Sequence, residues 1–149
     1  MAIENTQGYQ ILHSLLTAFN QDTKTVLALF DPDAIVEYPY AAAIGRPHRL
    51  TMDDYRKHLD NILGHMPDIS FTRLQLYPLQ EEGSYWAEFH GETRVPATEA
   101  LYEQDYVVQF TLKDEKFSFY KEYWNMLPIL KALLGKEETQ RIINDNYRN

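Results

Sequence analysis

Glu122 carries the strongest chemical signal in this chain. It stands in Phe117-Ser118-Phe119-Tyr120-Lys121-Glu122-Tyr123-Trp124-Asn125, a single carboxylate among five aromatic rings. If the segment is a strand, period-two alternation places Glu122 on one face with Tyr120 and Trp124. A carboxylate pressed against apolar rings loses water, so its charged form is disfavoured and its pKa rises toward the range useful for proton transfer. The competing reading is a glutamate on the wet face of an edge strand, which is the commoner fate of this residue type. His13, His48, His65 and His90 form no pattern with carboxylates at metal-ligand spacing, and His90, beside Glu88 and Glu92, reads as solvent-facing. No metal is expected. Neither a phosphate-binding glycine loop nor a serine elbow is present, which leaves nucleotide use and Ser-His-Asp hydrolysis without support.

The elements that must position Glu122 follow from periodicity. Ile11, Leu12, Leu15, Leu16 and Phe19 repeat at helical spacing, predicting an amphipathic helix over about Thr6 to Asn20. Asp22 or Thr23 caps a short second helix through Val26, Leu27, Leu29 and Phe30, stopped by the turn Asp31-Pro32-Asp33. Ala34 to Tyr40 reads as a strand with Val36, Tyr38 and Tyr40 on one face, and Pro39 marks its end. Thr51-Met52-Asp53-Asp54 is a capping box opening a third helix to about Leu63.

From there the period changes to two, in segments Ile69 to Leu79, Ser84 to Val95, Leu101 to Lys113 and Lys116 to Trp124. Short turns at Glu82-Gly83 and Lys113-Asp114-Glu115 predict antiparallel hairpins. A final helix runs through Leu127, Ile129, Leu130, Leu133 and Leu134, with Gly135 as its stop, before a polar tail over residues 136–149 that reads as a loosely docked helix. The expectation is one α+β domain over residues 1–149, with a core at about 8–134, in which N-terminal helices close one side of a curved, mainly antiparallel sheet into a cone.

Composition bounds the partners. With 149 residues and 44% hydrophobic content, the chain can bury one core of ordinary size. Its net charge of -8 repels phosphate backbones, so nucleic acid is not an expected partner. Absence of cysteine removes disulfides and thiolate chemistry and fits a cytoplasmic setting. No run reaches the length needed to span a bilayer, so no membrane association is expected. Eleven Tyr, seven Phe and two Trp supply rings for a core or for the wall of a cavity; Tyr40, Phe71, Trp86 and Tyr102 are open to either use.

The element order, with Leu29-Phe30-Asp31-Pro32-Asp33-Ala34-Ile35-Val36-Glu37-Tyr38-Pro39, resembles the nuclear transport factor 2-like superfamily and its SnoaL-like group over about Gly8 to Leu134. That superfamily holds isomerases, cyclases, hydrolases, dehydratases and binding proteins, so the resemblance implies a pocket rather than one reaction. Where its ketosteroid isomerases carry a catalytic Asp before a Pro, this chain has Tyr38, a phenol that cannot serve as a carboxylate base near neutral pH but can donate a hydrogen bond into the cavity.

A nearer match is to the phenazine-biosynthesis PhzA/PhzB-like proteins. Their helix histidine, nine residues before the Pro of a Phe-Pro-Asp turn, corresponds to His58 before Met66-Pro67-Asp68, and their Arg-Glu-Phe-Met-Asn motif to Lys121-Glu122-Tyr123-Trp124-Asn125. Gly91 to Pro96 through Tyr102-Glu103-Gln104 resembles the same sheet, Ile62 stands where the family has Ser, and the loop at Ala97 to Ala100 is shorter.

The resemblance implies Glu122 and His58 as an acid/base pair and places Asp33, Tyr38, Ile62, Tyr120 and Trp124 with Tyr40 and Tyr102 around a ligand. Such a pair can protonate a carbonyl oxygen and remove a proton from carbon or an amine, as isomerisation, cyclisation, dehydration or condensation of a compact carbonyl or amino-ketone requires. The bland alternatives are a surface histidine beside Asp54 and Asp60, and ordinary turn chemistry for Asp33. No cofactor is expected, and family precedent further implies a homodimer through the sheet. Two rival functions use the same fold: a binding protein that holds a metabolite unaltered, and an interaction protein whose cavity is filled by side chains.

Overall fold

The computed structural model describes residues 6–147. Helices α1 (Gln7–Ala18) and α2 (Thr23–Leu27) lead into strand β1 (Phe30–Glu37) and a 3-10 turn (Ala41–Ile44). The two-residue strand β2 (Arg49–Leu50) and helix α3 (Met52–Ile62) follow. Strands β3 (Ser70–Pro78), β4 (Ser84–Arg94), β5 (Leu101–Lys113) and β6 (Lys116–Tyr123) come next, and α4 (Met126–Tyr147) closes the chain. The strands form one open sheet in the order β2-β1-β6-β5-β4-β3. β3 to β6 make an antiparallel meander, while β1 runs parallel to β6, so the sheet is mixed. The architecture is α+β with the helices on one face, as the residue pattern predicts.

Local chemistry explains the elements. Thr6 accepts a hydrogen bond from the Tyr9 N–H to open α1, and Leu12, Leu15 and Leu16 of its apolar stripe are buried. Gly8 lets α1 approach β4 closely: a Cβ there would lie 2.7 Å from the ring of Tyr85. The capping box of α3 is present, with Thr51 and Asp54 exchanging side-chain to backbone bonds. Between β5 and β6 the turn uses positive φ at Asp114 and Glu115, and before β4 Gly83 turns at φ 77°. The core, filled by Leu12, Leu15, Val26, Val36, Phe110 and Phe117, sits between the helices and the inner sheet face.

Three details differ from the sequence expectation. β1 begins at Phe30, four residues early, and Asp31-Pro32-Asp33 lies within it at a register shift rather than ending α2 in a free turn. Pro32 has no N–H to give a ladder, so the irregularity falls where pairing is interrupted. The second is Tyr40, which leaves the strand face because the chain turns into the 3-10 segment after Tyr38, and it is 51% exposed. Gly135 breaks α4 with φ 79° and ψ 178°, yet helix resumes beyond it, and Thr139 is buried where its hydroxyl bonds the Gly135 carbonyl. Among the described residues no helix is long and apolar enough to cross a membrane.

Candidate active site

Glu122 reaches the inner face of β6 because it pairs across from Val108 of β5, with Tyr120 opposite Phe110 on the same side. The Tyr120 hydroxyl donates to Glu122 Oε1 at 3.1 Å. Two further hydrogen bonds, both from one residue, fix this strand end. Gln104, buried on β5, donates from Nε2 to the Asn125 carbonyl at 2.7 Å and accepts from the Asn125 N–H at 3.0 Å. One side-chain amide thus does the work of a ladder pair just where β6 ends, directly after Trp124.

His58 comes from the second turn of α3 and faces the same space. A cavity of about 90 Å³ is lined by both His58 and Glu122, with Tyr38, Ile62, Tyr106 and Phe71 among its walls. The separation of elements in sequence is therefore closed by the fold. Asn20, at the end of α1, holds the start of β3 through paired bonds with Ile69, 2.7 Å to its carbonyl and 2.8 Å from its N–H. That bracket sets Phe19 against Phe71 with ring centroids 6.2 Å apart at one side of the cavity. Gly91 lies behind the same wall, where a Cβ would meet Tyr106 at 3.1 Å and Phe71 at 3.2 Å.

Electrostatics invert the usual order of the two acids. Burial pushes the Glu122 carboxyl up from 4.5 to about 7, against the smaller opposing effect of the Tyr120 hydroxyl. Burial pulls His58 below its usual 6.5, aided by the positive charge of Arg46. Near neutral pH the imidazole is neutral and the carboxyl is poised between its two forms, so Glu122 can give or take a proton. Tyr38, Tyr55, Tyr106 and Tyr120 are raised by burial, feel the Glu122 charge and stay protonated. They are donors, not bases.

The remaining candidates divide by position. Tyr38 is buried and lines the cavity, with its ring 5.4 Å from that of His58 and 6.2 Å from Trp124, which packs behind it. Ile62 lines the cavity as an apolar group. Tyr102 is buried one layer back, its hydroxyl 2.6 Å from that of Tyr106. Asp33 and Tyr40 lie outside: Asp33 is exposed and its N–H donates to Asp31 Oδ1 at 2.8 Å, while Tyr40 packs edge-on against Tyr123 of the outer face.

His90 lies on the solvent-facing side of the sheet, as expected, but its ring is not free. It is clamped on the outer sheet face, with Nδ1 2.7 Å from Asp105 and Nε2 2.8 Å from Glu92, and these carboxylates raise its pKa. His90, Glu92 and Glu103 bring potential ligand atoms within 4.8 Å of one another, a grouping across β4 and β5 that a linear reading does not reveal.

Two site residues escape the sequence reading. Tyr106 shares the inner face with Tyr102 and Gln104 at period two, so its signal was present in the alternation. Tyr55 lies one turn before His58 on α3; its fully buried hydroxyl makes no well-formed hydrogen bond among the described residues, although it lies near enough to Tyr38 for each phenol to affect the other's ionisation. Nothing in its sequence context distinguishes it from an ordinary core tyrosine.

The sequence profile of the SnoaL-like domain matches residues 12–120, which contain His58 and most of the cavity wall. The chain belongs to the SnoaL-like domain family. This SnoaL-like chain is 27% identical over 133 residues to an uncharacterised PhzA/B-like protein of Pseudomonas aeruginosa, covering 89% of this chain and 94% of that protein. A candidate isomerase from Bacillus subtilis superposes with a TM-score of 0.80 at 25% identity, over 87% of this chain and 94% of that one. The phenazine biosynthesis-related protein PhzB2 of Pseudomonas aeruginosa shares the fold with a TM-score of 0.65 at 20% identity, over 83% and 85% of the two chains. The SnoaL-like domain thus has a nuclear transport factor 2-like fold, with a candidate isomerase among its structural neighbours.

Proposed function

We propose that this protein is a cofactor-free acid/base enzyme of isomerase, cyclase, dehydratase or condensation type, acting on a compact, partly apolar carbonyl compound. The observation that carries the reading is the meeting of Glu122 and His58 on one aromatic cavity, with the carboxyl pushed up to about 7. Glu122 takes the proton from the carbon or nitrogen of the substrate, and neutral His58 receives or relays it. Tyr38, a cavity-lining phenol that stays protonated, donates to the carbonyl oxygen as charge develops there. Ring-walled space of about 90 Å³ favours a compact reacting group.

The reading extends to a homodimer through the outer sheet face, where Tyr123 contacts both Trp86 and the half-exposed Tyr40. Exchange of the α-protons of cyclohexanone in D₂O, followed by proton NMR, tests the chemistry. Wild-type protein accelerates exchange with a rate that rises through pH 7, and Glu122→Gln and His58→Ala slow it. Exchange at the wild-type rate in both variants refutes the assignment. A ligand that binds in the cavity and leaves unchanged in all three proteins supports the binding-protein alternative instead.

A further inference from the structure

Glu122 is a carboxylate without a counter-charge. Among the described residues no Lys or Arg lines its cavity, and the only group bonded to it is the neutral Tyr120 hydroxyl. Among the described residues, the other titratable side chains that line the cavity or feel the Glu122 charge are uncharged at neutral pH. Tyr38 from the end of β1, Tyr55 and His58 from α3, and Tyr102 and Tyr106 from β5 are held protonated or, for His58, neutral. Arg46, exposed on the loop after the 3-10 turn, lies close enough to act on His58 but does not reach the cavity. An ionised group so placed calls for a proton or another cation.

The walls supply the second half of the argument. On one side Phe71, Phe89 and Tyr106 pack as a ring cluster with centroids 5.1 to 6.4 Å apart. Tyr38 lines the same cavity. Aromatic faces carry negative quadrupoles and attract organic cations, most strongly where water is excluded. The same walls with a carboxylate repel a second anion, and among the described residues no Lys or Arg lines the cavity to hold one.

We propose that the cavity binds a small organic ammonium group, with Glu122 as its counter-ion and the Tyr38 and Phe71–Phe89–Tyr106 rings as its cage, and that it excludes carboxylates and phosphates. The inference rests on the acid/base reading and narrows its substrate class to carbonyl compounds that bring a protonated or quaternary amine to Glu122. The cation displaces the proton that Glu122 otherwise holds, so ammonium binding strengthens as the carboxyl ionises.

Isothermal titration of the whole protein with tert-butylammonium, tert-butanol and pivalate compares a cation, a neutral molecule and an anion of nearly one shape. Tetramethylammonium, whose charge does not titrate, gives the pH dependence. With an ionisation near 7, its affinity rises about tenfold between pH 6 and pH 8, because only the ionised fraction is competent. Glu122→Gln, which keeps the side-chain shape, lowers tetramethylammonium affinity by more than about tenfold and removes the pH dependence. His58→Asn leaves the step near pH 7 in place.

Equal affinity for the three tert-butyl probes, tightest binding of pivalate, no binding of any probe, or a pH-independent ammonium affinity each overturns the proposal. Thermal unfolding of the variants confirms that they are folded. Loss of ammonium selectivity with Glu122-dependent ketone exchange intact removes this inference and leaves the acid/base reading standing. Selective ammonium binding without any exchange does the reverse.

Discussion

Replacing Glu122 by Gln turns the electrostatics of the cavity into a stability measurement. In the unfolded chain this carboxyl ionises near 4.5, and in the folded protein near 7. Below pH 4.5 it is protonated in both states and makes no difference. Between the two values the unfolded state ionises while the folded state still holds its proton, so wild-type stability falls as pH rises. Above 7 the folded protein carries the full cost of a buried, unpaired carboxylate. The displacement corresponds to about 3 kcal/mol, or roughly 2–3 kcal/mol once the partial solvent access of Glu122 is allowed for.

Gln has the same shape, keeps an acceptor for the Tyr120 hydroxyl and has no charge to desolvate. Urea unfolding of both proteins from pH 4 to pH 8.5 gives the difference directly, because the remaining titrating groups are common to the two and cancel. The stability of Glu122→Gln relative to wild type is expected to climb by about 2–3 kcal/mol across that range, with its midpoint between pH 5 and 7. A difference that stays constant, or a variant that loses ground as pH rises, refutes the claim that burial has lifted this carboxyl.

The other consequences are local. Tyr120→Phe removes the one donor bonded to Glu122, and since that donor lowers the pKa, carbon-13 NMR of the Glu122 carboxyl is expected to show titration above 7. Asn20→Ala breaks both bonds to Ile69, and chemical denaturation should record a loss of about 1–2 kcal/mol. Gly91→Ala forces Tyr106 and Phe71 apart by a few tenths of an ångström, costing about 1–3 kcal/mol and reshaping the cavity wall, visible as shifted Tyr106 and Phe71 ring resonances.

What the sequence could reveal depended on how local the physics was. The capping box at Thr51, the period-two runs of β3 to β6 and the stripe of α1 rest on neighbours within a few residues, so they were legible. The early start of β1 was not, because Asp31-Pro32-Asp33 carries turn residues that the pairing of Phe30 with Phe117 overrides. Tyr40 was misplaced for a related reason: alternation continued past the point where the backbone turned away.

The sequence by itself marked Glu122 as a carboxylate among rings and, through its likeness to a known family, His58 as its partner. Tertiary structure alone decided that they share one cavity, since α3 and β6 are brought together by packing across the sheet and not by any local spacing. It also decided the protonation order, because a pKa depends on desolvation and on charges arriving from distant segments, such as Arg46 beside His58. The residue types can be read from the chain; the water removed from around them is a property of the fold.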